Sequence, residues 1–257
     1  MSGNVFAALR PLVRSVVAYD YTGLAPGAHA GLPSTSLTLI VAIGDPLVVS
    51  MGAQPRPYRV LLGGLHLRPA RVEFGESLAG VQVALGPDAA RRLFDCSAAE
   101  LAHGCLELDS VLTGFAERLA ERANLADRGQ RVRTVCAELL ARLAEPRPLA
   151  PQLRHAWELL TGRRPATAGA VAECVGWSRR HLEQRFAREF GITPGQAAGL
   201  GRFERSVGLV KRGDRLADVA AATGYADQAH LARDWRRLAG SPPSRWIRDD
   251  GLAFVQA

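Results

Sequence analysis

The chain lacks the marks of several large protein classes. No run approaches the roughly 18 consecutive apolar residues that a membrane-spanning helix needs, although 47% of its 257 residues are hydrophobic. The opening MSGNVFAALRPLVRSVV shows no basic leader followed by an apolar core and a cleavage site, so a cytoplasmic location without membrane association is expected. Cysteine is scarce. Cys96, Cys105, Cys136 and Cys174 show no C-x-x-C pairing and no neighbouring Cys/His cluster. That pattern points to small buried thiols rather than a zinc site or a disulfide framework, and no metal or cofactor is expected. Thiol sensing by Cys96 or Cys105 stays open. A phosphate loop and a G-x-S-x-G elbow are both absent, and the expectation is that the chain is not an enzyme. The enzyme alternative, a repair protein with a metal-held cysteine, needs clustered thiols in the first half, where only Cys96 and Cys105 precede the helical region. Tryptophan is missing from that half altogether: Trp157, Trp177, Trp235 and Trp246 all lie later.

What is present is an uneven positive charge. Residues 1–148 carry 15 basic and 14 acidic groups, whereas residues 149–257 carry 17 and 11, so most of the net +7 sits in the second part. A polyanionic partner for that part is the natural inference. Lys211 is the single lysine among 32 basic residues, an arginine preference that genome composition explains as well as function does. Glu145 to Pro151 holds three prolines, which cannot continue a helix and favour an extended spacer. The expected organisation is therefore a domain over 1–145, a proline-rich linker over 146–151 and a second domain over 152–257.

The first domain reads as mixed α/β. Residues 5–17 are expected as a short helix bent near Pro11. Leu37–Ile43, stopped by Gly44-Asp45-Pro46, reads as a strand, as do Leu47–Val49 and Val60–Leu62. Val81, Val83 and Leu85 alternate with Gln82 and Ala84, the signature of a half-buried strand. Short strands divided by Gly and Pro suggest a small antiparallel sheet or barrel. From about residue 98 the period changes. Leu108, Val111, Leu112, Phe115 and Leu119 predict one amphipathic helix, and Val132, Val135, Cys136, Leu139, Leu140 and Leu143 a second, joined around Asp127-Arg128-Gly129. This hairpin is equally suited to packing on its own sheet or on a second subunit.

The second domain is helical throughout. Val171, Ala172 and Val175 give a short helix its buried face, Gly176 ends it, and Ser178 caps the next. Leu182 and Phe186 anchor that next helix at i, i+4, leaving Arg179, Arg180, Glu183 and Gln184 on the open side near its N-terminal end. The grammar recurs. Leu216, Val219 and Ala220 close at Gly224-Tyr225, Asp227 caps, and Leu231 and Trp235 anchor a helix whose open side holds Gln228, Ala229, His230 and Arg233. Between the two, Gly191-Ile192-Thr193-Pro194 stops one helix and starts another, with Phe203, Val207, Leu209 and Val210 on its apolar face. One helix-turn-helix pattern is a modest signal, since Ala-rich hairpins imitate it; two in tandem on a basic domain are strong. The second helix of such a unit enters the DNA major groove.

These residues resemble the AraC/XylS family of transcription regulators over about residues 150–248. The likeness rests on the run at 172–186, the Gly191/Pro194 turn, Arg202-Phe203-Glu204-Arg205, and Gly224-Tyr225-Ala226-Asp227-Gln228-Ala229-His230-Leu231 through Gly240-Ser241-Pro242-Pro243. Phe203 stands where leucine is usual, and Leu231 and Trp235 where phenylalanine is, which bears on packing rather than fold. The resemblance implies seven helices with base-reading residues on the third and sixth. Those are Arg180, Glu183 and Gln184 in the first unit, and Gln228, Ala229, His230 and Arg233 in the second. Arg suits guanine, Gln adenine and Glu cytosine N4, while Ala229 offers a methyl contact. Arg179, Arg185, Arg236 and Arg237 are expected at phosphates, though any one of them is as apt to be a solvated charge.

Residues 31–46, with Arg56-Pro57-Tyr58 and Gly80–Val83, resemble the barrel-like sensor domain found in some of these regulators. The fold expected is therefore α+β: an N-terminal cupin-like small β-sheet or barrel with a helical hairpin, then an all-α domain with two helix-turn-helix units. Tyr58, His66 and Phe74 are the expected pocket residues, with an unliganded surface or core histidine the plainer reading of His66. The partners implied are double-stranded DNA, RNA polymerase, a small-molecule effector and a second copy of the chain through residues 106–143. Purely constitutive regulation, with the first domain serving only to dimerise, is the alternative.

Overall fold

The computed structural model describes residues 8–10, 12–143 and 149–249. Among these residues nine strands run in the first part: β1 Val13–Thr22, β2 Gly27–Gly31, β3 Leu37–Ala42, β4 Leu47–Ser50, β5 Arg56–Tyr58, β6 Val60–Gly63, β7 Ala70–Phe74, β8 Ser77–Leu85 and β9 Cys105–Glu107. They form two antiparallel sheets among the described residues, ordered β1-β8-β3-β6-β9 and β2-β7-β4-β5. Alternation along each strand sorts the side chains into two cores. Leu37, Leu39, Val41, Val60, Leu62, Val81 and Val83 form the outer face of the larger sheet, all buried under helices. Its other face turns inward, where Tyr19, Leu61 and Leu78 meet Leu47, Val49, Ala70 and Val72 of the smaller sheet.

Two short helices follow, α1 Ala89–Leu93 and α2 Ala98–Leu101, and then the hairpin of α3 Phe115–Leu125 and α4 Arg131–Ala141. The hairpin packs on its own sheet, α3 over β3 and β6, α4 over β1 and β8. Glu138 of α4, nearly buried, pairs with Arg122 and Arg118 of α3 and ties the two helices together. Two expectations change here. Residues 13–22 are a strand, so the helix expected over 5–17 does not extend through its second half; residues 1–7 and 11 lie outside the described residues. The helix expected from Leu108 starts only at Phe115. Leu108–Ser110 is a single 3-10 turn, and Gly114, at φ 73°, breaks the path to α3.

Among the described residues of the second part there are seven helices: α5 Pro151–Thr161, α6 Ala168–Cys174, α7 Arg179–Phe190, α8 Pro194–Lys211, α9 Leu216–Thr223, α10 Gln228–Ala239 and α11 Pro243–Asp249. Of the expected linker, residues 144–148 lie outside the described residues, and Pro151 is the first residue of α5, where its missing N–H costs nothing. The buried core runs on from the sheet and hairpin into these helices. Polar contacts bridge the same boundary. Arg91 of α1 donates two hydrogen bonds, 2.7 and 2.5 Å, to the nearly buried Glu189 of α7. Arg154 donates to Asp88 at 2.9 Å, and His103 to the Gly191 carbonyl at 2.9 Å.

Candidate nucleic-acid interface and the adjoining cavity

The two helix-turn-helix units are built as their sequences dictate. In the first, Gly176 adopts φ +71°, which a side chain would strain, so the chain turns sharply from α6 to α7. The Ser178 hydroxyl accepts the His181 N–H at 3.2 Å and caps α7. Leu182 and Phe186 are fully buried, and Phe186 joins Trp157 and Phe190 in an aromatic cluster. In the second unit Gly224 takes φ +84° and Asp227 accepts the His230 N–H at 2.6 Å. Leu231 and Trp235 are likewise fully buried, and the Trp235 indole donates to the Ser206 hydroxyl of α8 at 2.9 Å.

Each seat leaves an open polar edge. Arg179, Arg180, Glu183, Gln184 and Arg185 are all exposed on α7. On α10 Gln228, Ala229, Arg233, Arg236 and Arg237 are exposed and His230 half-exposed. Both edges start at a capped N-terminus, where backbone N–H groups and the helix dipole favour anions. Several of these residues are already engaged. Arg179 bonds Glu183 at 3.0 Å, so a base-reading assignment and a phosphate assignment share one ion pair. Arg237 bonds Asp234 at 3.0 Å. The His230 ring packs edge-on against Tyr225, and its Nδ1 accepts the Ala226 N–H at 3.4 Å, which leaves Nε2 as the ring's other polar atom.

Between the two sheets lies a cavity of about 420 Å³. Its walls are largely apolar, from Ile40, Leu47, Val49, Leu61, Val72 and Leu78, and α8 flanks its mouth with Glu204, Val207, Gly208 and Lys211. The Thr35 hydroxyl at that mouth donates to Glu204 at 2.5 Å and accepts from Arg14 at 2.6 Å. Of the three expected pocket residues, His66 lines this cavity; its Nδ1–H donates to the Arg68 carbonyl at 2.6 Å and burial lowers its pKa. Phe74 lines a separate groove beyond Leu47 and Leu78, at the far end of the barrel. Tyr58 packs in the inner core with its hydroxyl toward the Cys105 carbonyl, and lines neither hollow. Alternation around Gln82 signalled the strand, but not that its half-exposed face borders a cavity, nor that a helix of the second part closes on it.

Burial pushes the thiols of Cys96 and Cys105 up to about 11, which disfavours the reactive thiolate. Among the described residues no cluster of three or more His, Cys, Asp or Glu is placed to hold a metal, and no helix is long and apolar enough to cross a membrane.

Comparison with known proteins bears on both parts. Residues 171–249 match a family model described as a helix-turn-helix domain. A curated protein of Bacillus subtilis (strain 168), an uncharacterized HTH-type transcriptional regulator YbfI, is 35% identical over 65 residues, which is 25% of this chain and 24% of that protein. The chain thus matches about a quarter of that relative's length. Over nearly the whole length the fold resembles ToxT of Vibrio cholerae. The wild-type protein of strain SCE256 with an unsaturated fatty acid bound gives a TM-score of 0.53 at 11% identity, covering 92% of this chain and 95% of that one. An apo variant gives 0.57 at 10% identity, covering 91% and 97%. At these identities the likeness is one of fold: a small β-domain followed by a helix-turn-helix domain.

Proposed function

We propose that the chain is a transcription regulator of the AraC/XylS type, whose helices α7 and α10 read two successive major-groove segments of DNA under the control of a small molecule in the barrel. The observation that carries this reading is the double role of α8. One face of α8, with Glu204, Val207, Gly208 and Lys211, walls the cavity mouth. Phe203 and Ser206, turned away from it, seat Trp235 of the second reading helix, the Phe203 and Trp235 rings lying 5.2 Å apart. Arg202 adds an ion pair with Asp234 at 3.8 Å and lies over the Tyr225 ring. A ligand that shifts α8 therefore shifts α10.

In this reading Arg180, Glu183 and Gln184 meet bases of one segment and Gln228, Ala229, His230 and Arg233 those of the other. Arg179, Arg185, Arg236 and Arg237 hold phosphates. The cavity volume falls in the range of roughly 300–1,000 Å³ usual for small-molecule sites. The fatty acid in ToxT, the apolar walls and the cation of Lys211 at the mouth together favour an apolar effector with an acidic head. RNA polymerase follows as a partner from the regulatory role. A dimer through the hairpin has less support, because α3 and α4 spend their apolar sides on the sheet.

Selection of bound DNA with the full-length protein tests the reading. It should return two segments whose centres lie about one helical turn, roughly 34 Å, apart. Arg180→Ala should cost about 1–3 kcal/mol and relax one base position in one segment, while Arg233→Ala acts on the other. Uniform loss over all sequences would reassign Arg180 to a phosphate. A single-segment site indifferent to Arg233 would overturn the two-helix reading.

A further inference from the structure

We propose that the barrel cavity selects a ligand carrying hydroxyl or carbonyl groups along its apolar body, an oxygenated chain or ring, in preference to a plain hydrocarbon. The inference rests on the effector reading above and specifies its ligand. The geometry that leads to it is a set of polar side chains set into apolar walls. Thr38, Gln82 and Tyr19 of the larger sheet and His29 of the smaller one all border the cavity. Their order follows from strand register. Thr38 lies opposite Ala84, Gln82 opposite Ile40, and Tyr19 opposite Gly80. Positions 84, 82 and 80 of β8 succeed one another on one face, so the three polar groups occupy consecutive rows spanning roughly 13 Å. Gly80 makes the last row possible, since a Cβ there would stand 2.6 Å from the Tyr19 hydroxyl.

None of these four side chains makes a hydrogen bond to another described residue. The Nδ1 atom of His29 is buried with no partner. Gln82 alone brings two donors and two lone pairs to a wall otherwise formed by Ile40, Leu61 and Val72. Buried polar groups are almost always bonded, so the unpartnered His29 Nδ1, beside three further unbonded polar groups on the cavity wall, marks a site shaped for something that pairs with them. A bare alkyl tail lying along these rows satisfies none of them. A hydroxyl or carbonyl satisfies one at each row, and a site of this kind discriminates strongly against the analogue that lacks the group. The groups are also neutral. Burial lowers the His29 pKa to about 4, so its ring is uncharged near neutrality and suits neutral oxygen functions rather than a second anion.

The experiment is calorimetric titration of the full-length protein with two matched pairs: dodecanoic acid against 6-hydroxydodecanoic acid, and 2-naphthoic acid against 6-hydroxy-2-naphthoic acid. The expected result is a hydroxylated member binding about tenfold tighter or more in at least one pair. Gln82→Met and Tyr19→Phe should each bring the two affinities of that pair together; with two variants, a folding defect in one leaves the other to decide. Plain acids that bind as tightly as their hydroxylated partners in both pairs overturn this inference and leave the effector reading standing. If none of the four acids binds, both readings fall. A preference that survives in both folded variants also overturns it, because the discrimination then comes from elsewhere.

Discussion

His29 is where a single side chain sets a property of the whole protein. Its ring pKa falls from 6.5 to about 4 because burial penalises the charged form. Below pH 6.5 the unfolded chain takes up a proton at this position while the folded chain stays neutral. The contribution is therefore intact above that value and declines as pH falls toward 4, by roughly 3 kcal/mol over the whole window. Urea unfolding on either side of the window should show this slope, with His29→Phe flattening part of it. His66, also lowered by burial, keeps the rest. A variant with the wild-type slope would remove His29 as its source. Ser206 is a second such residue. Its hydroxyl donates to the Phe203 carbonyl and accepts the buried Trp235 indole N–H, at 2.7 and 2.9 Å. Ser206→Ala leaves that N–H without a partner and should cost about 1–3 kcal/mol. Selection of bound DNA should show the accompanying weakening confined to the segment read by α10. Equal weakening of both segments would mean that Ser206 supports the domain at large.

At the scale of elements, what the sequence made legible was whatever is decided locally. The caps Ser178 and Asp227, the turns at Gly176 and Gly224, and the buried pairs Leu182/Phe186 and Leu231/Trp235 all stand within a few residues of what they control. Each appears in the structure as expected. Failures came where periodicity is ambiguous. Leu108, Val111, Leu112 and Phe115 have helical spacing, yet a left-handed Gly114 interrupts them, and no apolar count registers that. Leu12, Val13 and Val16 suit a helix as well as a strand. The choice falls to pairing with β8, nearly 70 residues on, where Val16 meets Val83. β2, with the sequence Gly-Ala-His-Ala-Gly, carries no β-branched residue and is held by its partner β7. The caps also make a prediction. Ser178→Ala and Asp227→Ala should each lower stability by about 1 kcal/mol, as the loss of an N-cap does. Each should weaken only the DNA segment read by its own helix, as a gel-shift series with either segment scrambled would reveal. Interchangeable effects would mean that the two helices do not read separately.

The whole molecule is organised by contacts that no local pattern announces. Arg91 and Glu189 stand almost a hundred positions apart, yet two short hydrogen bonds join them across the boundary between the β-domain and α7. Their surroundings are unequal: the Glu189 side chain is 9% exposed and that of Arg91 30%. Unequal burial makes the pair respond asymmetrically to substitution. Arg91→Met strands a buried carboxylate. Loss of one partner of a fully buried pair costs about 3–5 kcal/mol, and partial exposure of Arg91 reduces the expectation to roughly 2–3. Glu189→Leu leaves an arginine that reaches water and fills its own site with apolar volume, so it should cost about 1 kcal/mol or less. The double variant should then be more stable than Arg91→Met alone, because the stranded charge is gone. Thermal unfolding resolves this, each kcal/mol moving Tm by about 2–4 °C in a protein of this size. Strictly additive losses would show that the ion pair does not hold α7 to the β-domain, and that the shared apolar core alone docks the two parts.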